Sequence, residues 1–247
     1  MEEDKSTVRA VDRALEILLC FTQEHELGLS EIAKRISLHK STVHRLLGSL
    51  EAKGFVMRNP ETEKFRLGYR ILELSSNLTQ SDDMSIVLLP EMERLRDLVG
   101  ETISLYVRDG SERIRIQAVQ SNQPIRRVAP IGARMPLTVG ASSKLLVAYE
   151  DEETQDKILH EISWPETVER EQFLAQLEII RKQGFATSVE EREVGAAAVS
   201  APIFNRKGKV IAALSVSGPS NRLTQEKMQE IAVPLVEAAT RMAKMMK

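Results

Sequence analysis

The spacing of small and apolar residues between positions 29 and 54 restricts this chain more than any other feature. Ile32, Ala33 and Ile36 recur at helical intervals after Ser30, and Val43, Leu46, Leu47 and Leu50 recur again before Gly54, a natural C-terminal stop. A helix-turn-helix needs a small residue in its first helix, because the second helix crosses close to it. Ala33 supplies that residue. Val43 and Leu46, ten and thirteen positions on, are placed to hold the crossing. With Val43, Leu46, Leu47 and Leu50 turned inward, Ser41, Thr42, His44, Arg45 and Ser49 face outward. The outward set is concentrated in the N-terminal half, where a recognition helix presents side chains to base edges. One position departs from the general pattern: Ser37 stands in the turn where glycine usually takes the left-handed conformation, at a modest cost for serine.

The segment FVMRNPETEKFRLG follows and reads as two short strands around the turn Asn59–Thr62. A hairpin after such a helix pair makes a winged helix-turn-helix. Charge is uneven here too. Residues 34–58 carry six basic side chains (Lys34, Arg35, Lys40, Arg45, Lys53, Arg58) against the single acid Glu51. The local balance is +5 in a chain of net charge −2. A basic stripe is what a surface resting on phosphates requires, although a solvated helix face has the same composition. Taken with the helix spacing, it points to double-stranded DNA. Ser41, Thr42, His44 and Arg45 are then expected in the major groove and Lys40 on phosphate. Arg58, Lys64 and Arg66 are expected along the backbone or in the minor groove.

Elsewhere the chain reads as an alternation of elements. Val11, Ala14, Leu15, Leu18 and Leu19 have helical spacing, and YRILELSSNLTQ (69–80) is a helix with Ile71, Leu72 and Leu78 on one side, bridging to a second domain near residue 82. A helix over 85–99 ends at Gly100. Strands over 102–109 and 111–120 turn at Asp109-Gly110. Helices are expected at 142–149, 151–161 and 169–183, and strands at 185–189, 195–204 and 209–218, the last two joined by a hairpin at Asn205–Gly208. A final helix starts near Thr224. This predicts an α+β domain with helices beside a sheet.

Several classes are disfavoured. Cys20 is the single cysteine, so an intramolecular disulfide and a cysteine-based zinc cluster are excluded, which fits a reducing compartment. It lies in an apolar helical stretch and reads as a small core residue. His39 and His44 lack the i,i+4 spacing with an intervening glutamate that one-face zinc binding wants. No segment approaches the ~18 apolar residues of a membrane span. The N-terminus is acidic where a signal peptide would be basic, so a cytoplasmic protein without membrane contact is expected. Residues 82–247 hold no cysteine, and His160 stands alone there, so neither an enzyme nor a cofactor is expected.

Two sets of residues resemble a known family. LGLSEIAKRISLHKSTVHRLLGSLEAKGFV, followed by FRLGYRILEL, resembles the DNA-binding half of the IclR-type transcriptional regulators. IGARMPLTVGASSKLLVAY and EEREVGAAAVSAPIFNRKGKVIAALSVSGPSNR resemble the two signatures of its second half. The resemblance implies a winged helix-turn-helix domain over 6–68, a linker helix over 69–81 and a GAF-like effector-binding domain over 82–247. It implies a homodimer or tetramer on a palindromic operator, with the apolar side of the linker helix as dimer surface or else packed within the chain. Repression is the commoner mode. A small metabolite, a carboxylate or catabolic intermediate, would sit between the small-residue turn and the last strands, at Ala141, Ser142, Ser143, Ala198, Ser215 and Ser217. Some members have a cysteine where Ala198 stands and an acid where Ser188 stands. Arg126, Arg127 and Arg134 hint at an anionic ligand, or are salt-bridged surface.

Overall fold

A computed structural model describes residues 7–76, 84–125, 130–165 and 168–246. The chain divides into two units, Met1–Gln80 and Ser81–Lys247. The first contains α1 (Arg9–Leu19), a 3-10 turn (Cys20–Thr22), α2 (Leu29–Arg35), α3 (Lys40–Ala52), β1 (Val56–Arg58), β2 (Phe65–Leu67) and α4 (Tyr69–Ser76). Its core is Ile17, Phe21, Leu27, Ile32, Ala33, Val43, Leu47, Val56 and Phe65. Ala33 and Val43 are both in it, as the helix crossing requires, while Leu46 and Leu50 are half-buried at its edge.

The turn between α2 and α3 keeps the left-handed geometry despite its side chain: Ser37 has φ 52°. The Leu38 N–H donates to Ala33 O at 3.0 Å and closes the turn. α2 starts one residue before Ser30, because Glu31 reaches back to accept the Gly28 N–H at 2.6 Å. Gly54 ends α3 at φ 75°, and Gly68 packs on it so closely that a Cβ there would lie 2.1 Å from Gly54 O. The wing gains a third partner. Leu27 and Phe65 exchange two backbone hydrogen bonds, at 2.9 and 2.8 Å.

On α1 the helical spacing is correct, but most of the apolar stripe faces outward. Val8, Val11, Leu15 and Leu19 are more than half exposed, while Ile17 is buried and Ala14 and Leu18 half-buried. Cys20 is half-buried against the core, its Sγ 3.3 Å from Glu16 O. Burial raises its thiol pKa against the opposing pull of Arg35.

The second unit contains α5 (Met84–Val87), α6 (Leu89–Val99), β3 (Thr102–Asp109), β4 (Glu112–Val119), β5 (Arg134–Pro136), α7 (Ala141–Ala148), α8 (Glu152–Glu161), α9 (Arg170–Gln183), β6 (Ala186–Val189), β7 (Ala196–Phe204), β8 (Val210–Pro219) and α10 (Gln225–Met245). The helix expected over 85–99 is broken at Leu88, beside Pro90, which has no N–H to continue it. Among the described residues, six strands form one antiparallel sheet in the order β5-β4-β3-β8-β7-β6.

The period-two pattern of the central strands gives that sheet two unlike faces. Ile103, Leu105, Val199, Ala201, Leu214 and Val216 pack on one side with Met92 and Leu95 of α6 and Leu235 and Met242 of α10. On the other side Tyr106, Leu137, Ala213, Leu145 and Val147 join Ile158, Phe173 and Leu177 of α8 and α9. That second face also carries small and polar side chains, and the candidate pocket forms against it. β4 reverses the usual assignment: Arg113 and Arg115 are buried, whereas Ile114 and Ile116 are only half-buried.

Candidate functional site

Two regions concentrate the expected functional side chains, one in each unit. In the first, His39 is the N-cap of α3. Its Nδ1 accepts the Ser41 N–H at 3.4 Å and lies 2.8 Å from Ser41 Oγ, so one imidazole organises the start of the helix. Lys40, Ser41, His44 and Arg45 are exposed on the first turns, and Thr42 is half-buried. Thr42 and Arg45 border a groove of about 380 Å³ shared with Arg9, Ala10 and Arg13 of α1. Those two α1 arginines, one helical turn apart, extend the basic surface beyond what the reading of α3 foresaw. Their i,i+4 spacing was the available signal.

On the wing, Lys64 is exposed and Arg66 half-buried. Arg58 is ion-paired with Glu63 and lies 5.9 Å over the Phe65 ring, so its position is held by its own hairpin. Exposed Lys, Arg and hydroxyl groups at the N-terminal half of one helix, with a basic hairpin after it, are chemically suited to phosphates and base edges.

In the second unit, the N-terminus of α7 points into the polar half of the sheet. Gly140 precedes it at φ 92°. Any side chain there would press on the Arg113 guanidinium, 3.1 Å from the position of a Cβ. A small cavity of about 30 Å³ lies at this point. It is lined by Ala141, Ser142, Ala198, Ser215 and Ser217, together with Ser188, Glu191, Arg192, Tyr106 and Arg113. Five of the six residues expected at an effector site are thus brought together. Ser143 lies apart, its Oγ donating to Pro136 O at 2.8 Å.

The strand register explains the convergence. Ser217 pairs with Ala198 and Thr102, and Ser215 with Ser200 and Ser104. Ser200 Oγ donates to Ser215 Oγ at 2.9 Å, whereas Ser217 Oγ, in a residue 5% exposed, has no hydrogen-bond partner among the described residues.

Charge around the cavity comes from residues that the sequence reading did not single out. Arg115 donates to the Tyr106 hydroxyl through Nε at 3.2 Å and Nη2 at 2.5 Å, and Arg113 stacks over the same ring at 5.2 Å. Burial opposes ionisation of Tyr106, but the Arg115 and Arg113 charges outweigh it and hold the phenol below its usual pKa. Arg113 also donates to Val139 O at 2.9 Å. Lys144, 3% exposed, donates to Gln176 Oε1 at 2.9 Å and to Glu191 Oε1 at 2.5 Å, while Glu191 Oε2 accepts the Gly140 N–H at 2.8 Å. A second cavity of about 260 Å³ adjoins Glu191 from the side of Thr138, Gln172, Phe173 and Gln176.

Arg134 does not take part: it pairs with Asp109 at 2.5 Å and Glu112 at 2.9 Å on the surface. Arg126 and Arg127 lie outside the described residues. Among the described residues, no group of three or more His, Cys, Asp or Glu is arranged to hold a metal ion, and no helix is long and apolar enough to cross a membrane.

Known proteins share both halves. Residues 10–60 match the IclR helix-turn-helix domain, and residues 76–244 match the family described as bacterial transcriptional regulator IclR C-terminal. The HTH-type transcriptional regulator KdgR of Escherichia coli is 32% identical over 251 residues, covering 100% of this chain and 95% of KdgR. The transcriptional repressor IclR of Escherichia coli is 30% identical over 243 residues, covering 94% of this chain and 88% of the repressor. Among solved structures, an IclR homologue of Microbacterium hydrocarbonoxydans complexed with 4-hydroxybenzoate has a TM-score of 0.84. It is 25% identical, and the match covers 96% of this chain and 98% of that one.

Proposed function

The chain belongs to the IclR family of transcriptional regulators, with a helix-turn-helix DNA-binding domain and an effector-binding C-terminal domain, and from that premise we propose that it is a repressor released from, or fixed on, a palindromic operator by a small organic acid. α3 enters the major groove. Arg45, Ser41, Thr42 and His44 read bases and Lys40 holds phosphate, with Arg58, Lys64 and Arg66 of the wing beside the backbone. The domains run over 6–68, 69–81 and 82–247, and the protein acts in the cytoplasm without enzymatic turnover.

The observation that carries the effector part is the convergence of the α7 N-terminus, Ser217 and the buried cation Arg113 on one small cavity, with the buried Lys144 tied to its edge through Glu191. Helix-start N–H groups and buried cations favour a carboxylate over a neutral ligand. The similar structure complexed with 4-hydroxybenzoate, itself an acid, supports the same class.

The protein works as a dimer or as a pair of dimers. α4 supports this, because Tyr69, Leu72 and Leu74 are 70%, 66% and 53% exposed, and the outward stripe of α1 adds more apolar surface of the kind that a second copy covers. The test is selection of fragments of the source genome by the purified protein at ~150 mM salt, where non-specific binding is weak. Recovery of a few palindromic sites, with half-sites about 10 bp apart or a multiple of that, is expected. Recovery of nothing above background, with and without added organic acids, rejects the reading.

A further inference from the structure

The anion position at the start of α7 is already filled, and a side chain of the same chain fills it. The Glu191 carboxylate accepts the Gly140 N–H through one oxygen at 2.8 Å and the buried Lys144 ammonium through the other at 2.5 Å. Those are the two contacts that a ligand carboxylate entering this site would seek. We propose that Gly140 N–H and Lys144 form the carboxylate seat of the effector site, that Glu191 occupies it when no effector is bound, and that an effector acid binds by displacing Glu191. This rests on the effector reading above and adds the groups that hold the acid.

Three observations carry the displacement. First, space. The cavity against Ser217 holds about 30 Å³, room for one water, and the neighbouring cavity about 260 Å³. Glu191 lines both, so withdrawing it joins them into a site large enough for a small acid. Ser217 Oγ, buried and without a partner among the described residues, then gains a ligand to bond.

Second, the loop that carries Glu191 is anchored at its base and open at its tip. The Glu190 N–H donates to Ala196 O at 2.7 Å, and Glu190 Oε1 accepts the Gly195 N–H and the Ser220 hydroxyl, each at 3.0 Å. Glu190 and Gly195 both have positive φ, and Val194 is 88% exposed. The Glu191 side chain, 29% exposed, can therefore swing outward without opening the core.

Third, charge. Lys144 is 3% exposed, and a buried ammonium left without its anion is costly. Glu191 leaves only when another carboxylate replaces it, which makes the seat selective for acids over their amides.

The experiment is a titration of the full-length protein with sodium acetate at constant ionic strength, followed through the backbone amide signal of Gly140. It is run on the natural chain and on Glu191→Gln, with acetamide as the uncharged control and a melting curve to check folding. Acetate is expected to move the Gly140 signal in both proteins, with a midpoint at least about tenfold lower in E191Q, because the charged competitor is gone. Acetamide is expected to move neither. Equal midpoints overturn the displacement, and no acetate response in E191Q overturns the seat. Should E191Q fail to fold, the natural chain decides alone: a structure with saturating acetate must show acetate on Gly140 N and Lys144 Nζ, and Glu191 still in place rejects the proposal. An acid that shifts operator binding at the same concentration in natural and E191Q proteins leaves the effector reading intact and overturns only the role of Glu191.

Discussion

At the residue scale, the proposed DNA face and the proposed effector pocket make opposite demands on a polar side chain. Arg45 is exposed and useful only against a partner. Arg45→Ala is therefore expected to leave the melting curve unchanged and to weaken specific operator binding by ~1–3 kcal/mol, while Lys40→Ala weakens all DNA alike and reduces the salt slope by about one. Titrations against operator and scrambled duplexes at two salt concentrations separate the two. At the pocket, Ser215 is bonded by Ser200 behind it, but Ser217 has no such partner among the described residues. Ser200→Ala should cost about 1 kcal/mol in denaturant unfolding, and Ser217→Ala should cost nothing or stabilise, because it removes a buried hydroxyl that makes no hydrogen bond. A loss for Ser217→Ala equal to that for Ser200→Ala would mean that its hydroxyl is bonded.

At the element scale, close backbone approach matters more than composition. Gly68 lets the chain leave the wing and pass against Gly54, and any Cβ at 68 meets the Gly54 carbonyl. Gly68→Ala is expected to destabilise the first unit by about 1–3 kcal/mol. Hydrogen exchange of the Val43 and Leu47 amides would register this, and protection equal to that of the natural chain would refute it. Most helices were legible from apolar spacing, since α2, α3 and α8–α10 each repeat at intervals that one buried face requires, whereas α7 is buried on every side. The orientation of α1 was not. Its apolar residues ring enough of the helix that spacing alone does not say whether Ile17 or Val11 is the buried one. β5, three residues long, is too short to show a period, and its pairing with β4 makes it a strand.

At the scale of the whole molecule, carboxylates fasten helices to one another and to their caps. Glu91 of α6 has its pKa lowered by hydrogen bonds from Arg94 and, across to α10, from Arg241. Asp151, capping α8, is lowered by the Thr154 N–H and hydroxyl. A carboxylate depressed in the folded state contributes stability above its unfolded pKa of about 3.9–4.3 and loses it as pH falls through the lower folded value. The second unit is thus expected to lose stability progressively below about pH 4.5, and Glu91→Gln to flatten that slope in melting curves taken from pH 6 to pH 3. An unchanged slope would show that the α6–α10 contact does not report on folding.

The amino-acid sequence by itself determined the local choices in this protein: the crossing of α2 and α3 at Ala33, the hairpin turns, the alternation of the central strands and the basic stripe. Each follows from neighbours within a few residues and from the burial of one face. The candidate effector pocket was only partly legible. Its serines lie on strands whose register brings them to one end of the sheet, and alternation places Ser215 and Ser217 on a common face. Tertiary structure alone decided that Arg113 and Arg115 turn inward against Tyr106, and that Lys144 and Gly140 meet a carboxylate 47 and 51 residues further on. A buried charge is tolerated only where a distant partner satisfies it, and no local pattern announces which residue that partner is.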